Sequence, residues 1–152
     1  MTLPTRQSLR YSLGASVANL FPFFVDFWSS LFFFLSFRFH FDALAHDNDA
    51  LSSAVEDVHT IPNDRGDRTP SVIILRGKQG VRKFNLTSVD DVRIFMALYR
   101  VEEKGVDLVL TLNFPMSVGD GNTRTEEQYA KAQSDFYSIA TSLRIVDFDL
   151  FA

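Results

Sequence analysis

Apolar and polar residues alternate through the second half of the chain. Apolar side chains recur at every second position over residues 92–99 and again over residues 106–113. A period of two is that of a β-strand, whose successive side chains point to opposite faces of a sheet. The connecting residues 101–105 are few and include Gly105, so the pattern predicts an antiparallel hairpin.

The region before this hairpin is predicted to hold one further strand. The β-branched run Ser71–Leu75 favours a strand, and we expect Gly77–Gly80 to break or turn the chain after it. Residues 42–67 contain many acids but Arg65 as the single basic residue, and turn-forming residues fill positions 61–70. The pattern therefore predicts a loop or a short helix over residues 42–67.

The C-terminal region is predicted to contain an amphipathic helix. Thr125 precedes Gln128 by three residues, which is the spacing of a capping box, and apolar residues follow at steps of three and four as far as Leu143. We expect this helix to end near Arg144. Residues 145–151 are predicted to form a final strand or a tail that packs into the core.

The N-terminal region is dominated by phenylalanine. Ten of the 16 phenylalanines lie between Phe21 and Phe41, and Asp26 is the only charged residue from position 11 to 37. A membrane-spanning helix needs about 20 mostly apolar residues, but Pro22, Asp26 and the Ser29-Ser30 pair interrupt this run, and an acid at mid-membrane costs about 2.5 to 3.5 kcal/mol. Membrane association is therefore not favoured. A signal or anchor, two buried strands and a wrongly assigned gene start stay open as alternatives.

Composition narrows the class of protein. The chain has 152 residues, no cysteine and a net charge of -4. This length fits one domain with its own core, and the lack of cysteine excludes a disulfide framework, a thiol nucleophile and a thiolate metal site. The mild negative charge disfavours a nucleic-acid partner.

A search of the sequence for metal-binding and catalytic motifs excludes most of them. The sole cluster that could bind a metal is His46-Asp47-Asn48-Asp49. It fails as a calcium loop because, counted from Asp47, position six is Ser52 instead of Gly and position twelve is Val58 instead of Glu. Neither a phosphate-binding glycine loop nor a nucleophile elbow is present. The sequence predicts no metal, no cofactor, no catalytic residue and no enzymatic activity.

One basic cluster has two interpretations. Arg76, Lys78, Arg82 and Lys83 lie close together in the sequence. They could meet an acidic surface on a partner, but a solvated face of a hairpin is the favoured interpretation.

Four stretches of the second half together resemble a known family. They are Leu75–Lys83, Ala97–Arg100, Asp107–Pro115 and Ile145–Phe151. In order and spacing they are similar to the Ran guanine nucleotide release factors, the MOG family of nuclear-import proteins, whose fold is related to the PsbP proteins of photosystem II. Residues 39–42, Phe-His-Phe-Asp, also look like the aromatic-His-x-acid strand end of that family.

The resemblance implies a fold and a domain organisation. The fold is α+β, an antiparallel β-sheet flanked by helices in a MOG/PsbP-like α/β/α sandwich, with an N-terminal part that is incomplete. Residues 1–37 are assigned as a Phe-rich apolar segment, either a degenerate N-terminal strand or helix or an anchor. Residues 38–152 are assigned as the MOG-like domain.

The resemblance also implies a function and two site residues. It implies binding of the GTPase Ran and promotion of guanine nucleotide release, in a monomer of the nucleus and cytoplasm that supports nuclear transport. Asp42 and Asp26 are the acids expected to face Ran, and the alternative is that both only solvate the ends of strands. Residues 25–29 could be a degenerate form of the family's acidic helix motif, or residues 13–26 could be a degenerate form of its opening strand.

Two other classes of function stay open at this point. A membrane-anchored domain of the same fold would use residues 11–37 as its anchor. A lipid-binding or small-molecule-binding domain would use the Phe-rich surface as the wall of a cavity.

Overall fold

An antiparallel sheet with a helix on each face forms the described part of the chain. The computed structural model describes residues 35–82, 88–117, 121 and 123–151. Its elements are a helix over residues 35–47 (α1), the strands β1 Ala50–Ile61, β2 Val72–Val81, β3 Asp90–Val101 and β4 Val106–Pro115, the helix α2 Glu126–Ser142, and the 3-10 turns Glu102–Lys104 and Asp149–Phe151. The predicted α+β class, with an antiparallel sheet flanked by helices, is confirmed.

The sheet is a simple meander. Its strands lie in the order β1-β2-β3-β4, and each pairs antiparallel with the next along the chain. The predicted hairpin is confirmed as β3 and β4, in which Met96 pairs with Thr111. Gly105 closes the connecting turn with a φ of 62°, a left-handed conformation that glycine adopts without steric cost.

The prediction that Gly77–Gly80 breaks the chain is wrong, because β2 runs straight through these residues to Val81. A Cβ atom on Gly77 would lie 2.7 Å from the backbone oxygen of Ala54 and 2.7 Å from Cζ of Phe41. The glycine is therefore needed for a close approach across the sheet and not for a turn.

The prediction of a loop or short helix over residues 42–67 is also wrong. Residues 42–47 complete α1, and Ala50–Ile61 form the strand β1. β1 lies at an edge of the described sheet, where many side chains stay exposed, and its register shifts between Val55 and Asp57. Exposure and the shift together hide the alternation by which a strand is recognised.

One face of the sheet, here called the α1 face, packs against α1. Its core consists of buried residues from α1 and from the two central strands: Phe37, Phe41, Leu75, Ile94, Met96 and Leu98. Ile94, Met96 and Leu98, which the alternation over residues 92–99 places on one face of a strand, are all buried in this core. The assignment of residues 39–42 to a strand end is wrong, because these residues lie within α1. No helix among the described residues is long and apolar enough to cross a membrane.

The opposite face, here called the α2 face, packs against α2. Its core contains Val72, Ile74, Phe95, Ala97, Tyr99, Phe136 and Ala140. The predicted capping box is confirmed, with Thr125 Oγ1 accepting from Gln128 N at 3.2 Å and Gln128 Oε1 accepting from Thr125 N at 3.0 Å. The Tyr99 hydroxyl donates to the backbone oxygen of Ala140, near the end of the helix.

The end of the chain neither forms a strand nor enters the core, so that prediction is wrong. Residues 143–147 have no regular structure, and Val146 and Leu150 are 91% and 77% exposed. The segment is held at the surface by polar and cation contacts. Ile145 N donates to Thr69 Oγ1 at 3.0 Å, and the Arg68 guanidinium lies 4.5 Å from the centre of the Phe148 ring.

Candidate partner-binding surface

The predicted site residue Asp42 lies on the outer side of α1. Its neighbour Phe41 is buried, whereas the Asp42 side chain is 55% exposed and pairs with Arg38 at 3.3 Å between Oδ2 and Nε. An exposed pair at this helical spacing contributes less than about 1 kcal/mol, so the carboxylate can exchange partners readily. The second predicted residue, Asp26, lies outside the described residues, as does most of the Phe-rich segment 1–37.

Two contacts hold α1 in place and so fix where Asp42 points. The Phe41 ring lies against Gly77, which has no side chain to displace it. One residue earlier in α1, His40 Nε2 lies 3.2 Å from Asp107 Oδ2, and Arg100 Nη1 lies 3.5 Å from Asp107 Oδ1. α1 therefore sits on the sheet through an aromatic contact and a charged one, and carries Asp42 on its free side.

The acidic stretch 42–67 is divided by the fold into three separate places. Asp42, Asp47 and Asp49 lie on α1 or just beyond its end. Glu56 and Asp57 lie within β1, and Asp64 and Asp67 lie in the loop between β1 and β2. A run of acids in sequence is therefore not one acidic patch in space.

The acids of β1 are engaged by cations of the neighbouring strands. The register shift of β1 falls at Glu56, which lies 2.9 Å from Arg93 Nη1 through its Oε1. Asp57 Oδ2 lies 3.4 Å from Arg76 Nη2 and 3.0 Å from His59 Nδ1. The predicted basic cluster is thus only partly solvated: the Arg76 side chain is 32% exposed and joins this network, whereas Lys78 is 54% exposed.

Asp67, one of the two acids of the β1–β2 loop, is engaged within the loop itself. Asp67 accepts hydrogen bonds from Thr69 and from Asn63, and these bonds, those of Thr69 foremost, lower the pKa of Asp67 to about 2. The same loop holds the end of α2, because Arg65 donates to the backbone oxygens of Thr141 and Leu143. Asp67 is therefore part of a structural clamp.

Three exposed acids lie around the end of α1, and Asp64 of the β1–β2 loop is exposed as well. Asp47 is 78% exposed, and its Oδ1 lies 3.7 Å from His46 Nδ1. Asp49 adopts a left-handed φ of 50°, which aspartate tolerates, and the chain turns there from α1 into β1. We call Asp42, Asp47 and Asp49 the α1 acidic end. This surface has the charge to bind a basic surface of a partner.

Comparison with known proteins decides the family. Residues 35–115, more than half of the chain, match the family model described as Ran-interacting Mog1 protein. The chain belongs to the Mog1 family. A Mog1-family relative from Danio rerio, named Ran guanine nucleotide release factor, is 26% identical over 122 residues, which cover 75% of this chain and 67% of that protein.

A second relative aligns over a smaller part of both chains. A protein of Dictyostelium discoideum named Probable ran guanine nucleotide release factor is 28% identical over 86 residues, 51% of this chain and 44% of that protein. The chain thus spans about two thirds of the length of the first relative and less than half of the second. The Mog1 match runs from α1 to the end of β4, so it contains the whole α1 acidic end.

Sequence reasoning identified Asp42 but did not add Asp47 and Asp49 to the same surface. It considered these two residues only as ligands of a calcium loop, because the end of α1 was not recognised. The signal was present in the spacing of buried Phe37 and Phe41 and half-buried Leu44, which lie on one face of a helix and leave Asp42 on the other.

Proposed function

We propose that this Mog1-family chain binds the small GTPase Ran through the α1 acidic end and promotes release of the guanine nucleotide from Ran. The observation that carries the proposal is the Mog1 match over residues 35–115 together with the exposure of Asp42 inside the matched segment. The names of both relatives support the same partner.

Nucleotide release of this kind requires no catalytic side chain on the release factor. A protein that binds the nucleotide-free GTPase more tightly than the loaded one lowers the affinity of the GTPase for nucleotide by the same factor, because the coupling between two binding events is reciprocal. Carboxylates such as those of Asp42 and Asp47 can compete for basic or magnesium-bound groups near the nucleotide. The chain acts in this proposal as a monomeric, non-enzymatic regulator in the nucleus and cytoplasm.

We expect Ran binding to be retained better than nucleotide-release activity. The resemblance to the family's acidic helix motif over residues 25–29 is incomplete, because Ser29 stands where the motif ends in an acid. A surface that keeps part of its acids should retain the encounter with a basic partner while losing some preference for the nucleotide-free state.

The decisive experiment measures Ran binding and loss of a fluorescent guanine nucleotide for wild type and Asp42→Lys. We expect Asp42→Lys to weaken binding by about tenfold, the equivalent of about 1.4 kcal/mol, with an unchanged melting temperature. Wild-type binding should also weaken as salt rises above about 0.15 M, where the screening length falls below about 8 Å.

Asp135→Lys is a matched control. Like Asp42, Asp135 is an exposed helical acid paired with a cation four residues earlier, here Lys131, but it lies on α2. Asp135→Lys should bind Ran like the wild type. Absence of Ran binding at micromolar concentration by folded wild-type protein would refute the proposal.

A further inference from the structure

An open cleft lies at one end of the α2 face. Its volume is about 320 Å³, and β1, β2 and β3 all contribute to its lining. Ser52 and Gly80 pair across β1 and β2 and form a floor of small residues, in which Ser52 Oγ lies 2.6 Å from where a Cβ on Gly80 would be. The charged residues of its lining are Lys78 and Arg93, a directly opposed pair on β2 and β3, together with the acids Asp90 and Asp91.

The cleft is open because the apolar surface of this face stops short of the sheet end. Tyr129 of α2 packs on Phe95 and Phe114, with ring centroids 5.6 Å and 6.0 Å apart. Beyond these rings, β2 presents Lys78 and Gly80 on the same face. Neither offers an apolar side chain for a helix to cover, so the end of the sheet is left accessible to another molecule.

The cations on this face are not equally engaged. Arg93 lies 2.9 Å from Glu56 and 3.3 Å from Asp91, and its side chain is 27% exposed. Lys78 Nζ lies 4.0 Å from Glu56 Oε1, at the outer limit of an ion pair, and its side chain is 54% exposed. The closer contact of Glu56 is therefore with Arg93. The Lys78 ammonium can still pair with an incoming carboxylate.

The cleft lies at the same end of the sheet as the α1 acidic end. Ala50, directly after Asp49, pairs with Val81, and Ser52 pairs with Gly80 in the cleft floor. Asn48, between Asp47 and Asp49, donates from Nδ2 to Oε1 of Gln79 at 2.8 Å, and Gln79 also contributes to the cleft lining. The acids and the cleft thus lie on opposite faces of one sheet end, and a partner that reaches around this end can contact both.

We propose that the cleft binds an aspartate or glutamate side chain of the same partner, with Lys78 as the residue that pairs with it. This inference rests on the proposed function. Acids at the end of α1 and a cation in the cleft would present two charges of opposite sign to Ran, and only one orientation of the partner satisfies both. Lys78 is a specificity residue in this arrangement.

The test compares Ran affinities of wild type, Lys78→Met, Lys78→Glu and Lys131→Glu. Lys78→Met should weaken binding several-fold, and Lys78→Glu, which also repels the incoming carboxylate, by about tenfold or more. Lys131 is an exposed lysine on α2 that pairs with Asp135, so Lys131→Glu controls for the change in net charge and should bind like wild type. Lys78→Met should also reduce the salt dependence of binding, because one ion pair is removed.

The outcomes separate the two proposals. If wild type and both Lys78 variants bind Ran equally while Asp42→Lys binds poorly, the cleft proposal is overturned and the proposed function stands. If Lys131→Glu loses as much affinity as Lys78→Glu, the effect is one of net charge and the cleft proposal is overturned as well. If Lys78→Glu fails to fold, Lys78→Met, which adds no charge beside Glu56, decides the question. A folded wild type that does not bind Ran overturns both proposals.

Discussion

The two faces of the sheet are covered by their helices in different ways. On the α1 face, Val58, Leu75 and Met96 from three neighbouring strands belong to one apolar layer that meets the aromatic rings of α1. On the α2 face, the apolar layer ends at Phe95 and Phe114, and charged residues of β1, β2 and β3 continue from there to the sheet end. One helix thus covers an apolar layer, whereas the other shares its face with an open charged surface.

The difference shows where a sheet tolerates polar residues. Ion pairs on the α2 face, such as that of Arg93 with Glu56, are half-buried and pair within the sheet. They need no helix above them, so that end of the face is available for a partner. On the α1 face, by contrast, Asp107 and Arg100 meet His40 of the helix itself, and Phe41 contacts the backbone at Gly77 directly.

The largest expected effect is on the α1 face. Met96 is 1% exposed in its core, and Met96→Asp would bury an unpaired carboxylate at a cost of several kcal/mol against a total stability of roughly 5 to 15 kcal/mol. We expect loss of the cooperative thermal transition by circular dichroism. Glu102→Ala, in the exposed turn between β3 and β4, should leave the transition unchanged. A native-like melting temperature for Met96→Asp would show that α1 does not cover this face.

A smaller effect compares two glycines of the same strand. Gly77→Ala should lower the free energy of unfolding by about 1 to 3 kcal/mol, because its Cβ would meet backbone at Ala54 and a packed ring at Phe41. Gly80→Ala should stay within about 1 kcal/mol of wild type, because the nearest atom is the movable hydroxyl of Ser52 at 2.6 Å. Urea unfolding measures both. Equal losses of unfolding free energy at the two positions would contradict the distinction between the covered α1 face and the open end of the α2 face.

The smallest effect concerns how the polar loop holds α2. The folded pKa of Asp67 is about 2, below the ordinary value of 3.8, so its carboxylate stabilises the fold above about pH 4 and this contribution is lost as pH falls through 2. The difference in unfolding free energy between wild type and Asp67→Asn should be constant above about pH 5 and should shrink below pH 4. A difference that stays constant down to pH 2 would mean that the Asp67 hydrogen bonds do not stabilise the folded state.

Much of the fold could be predicted because its central elements have strong local signals. β3 and β4 alternate clearly, and the capping box of Thr125 and Gln128 marks the start of α2. β1 gave no such signal, because an edge strand with a register shift has no strict period of two. Glycine in β2 was misread for a related reason, since Gly77 serves a contact with Phe41, a residue 36 positions away.

The candidate site was predictable only in part. The resemblance of residues 39–42 to the family's aromatic-His-x-acid pattern pointed to Asp42, and the exposed position of Asp42 is compatible with that assignment. It did not indicate which acids of residues 42–67 would be engaged by internal cations. That depends on the pairing of β1 with β2 and β3, which brings Arg76 and Arg93 to Asp57 and Glu56.

By itself the sequence determined the fold class, the hairpin, the α2 helix and the resemblance to its family, because these depend on residues close together in the chain or on short stretches read in order. Only the tertiary structure decided which charges are engaged and which are exposed. Ion pairs such as Glu56 with Arg93 join residues on different strands, whereas Asp42, Asp47 and Lys78 are among the charges that stay exposed to another molecule. Local periodicity carries no information about that choice, because it depends on distances between residues on different strands.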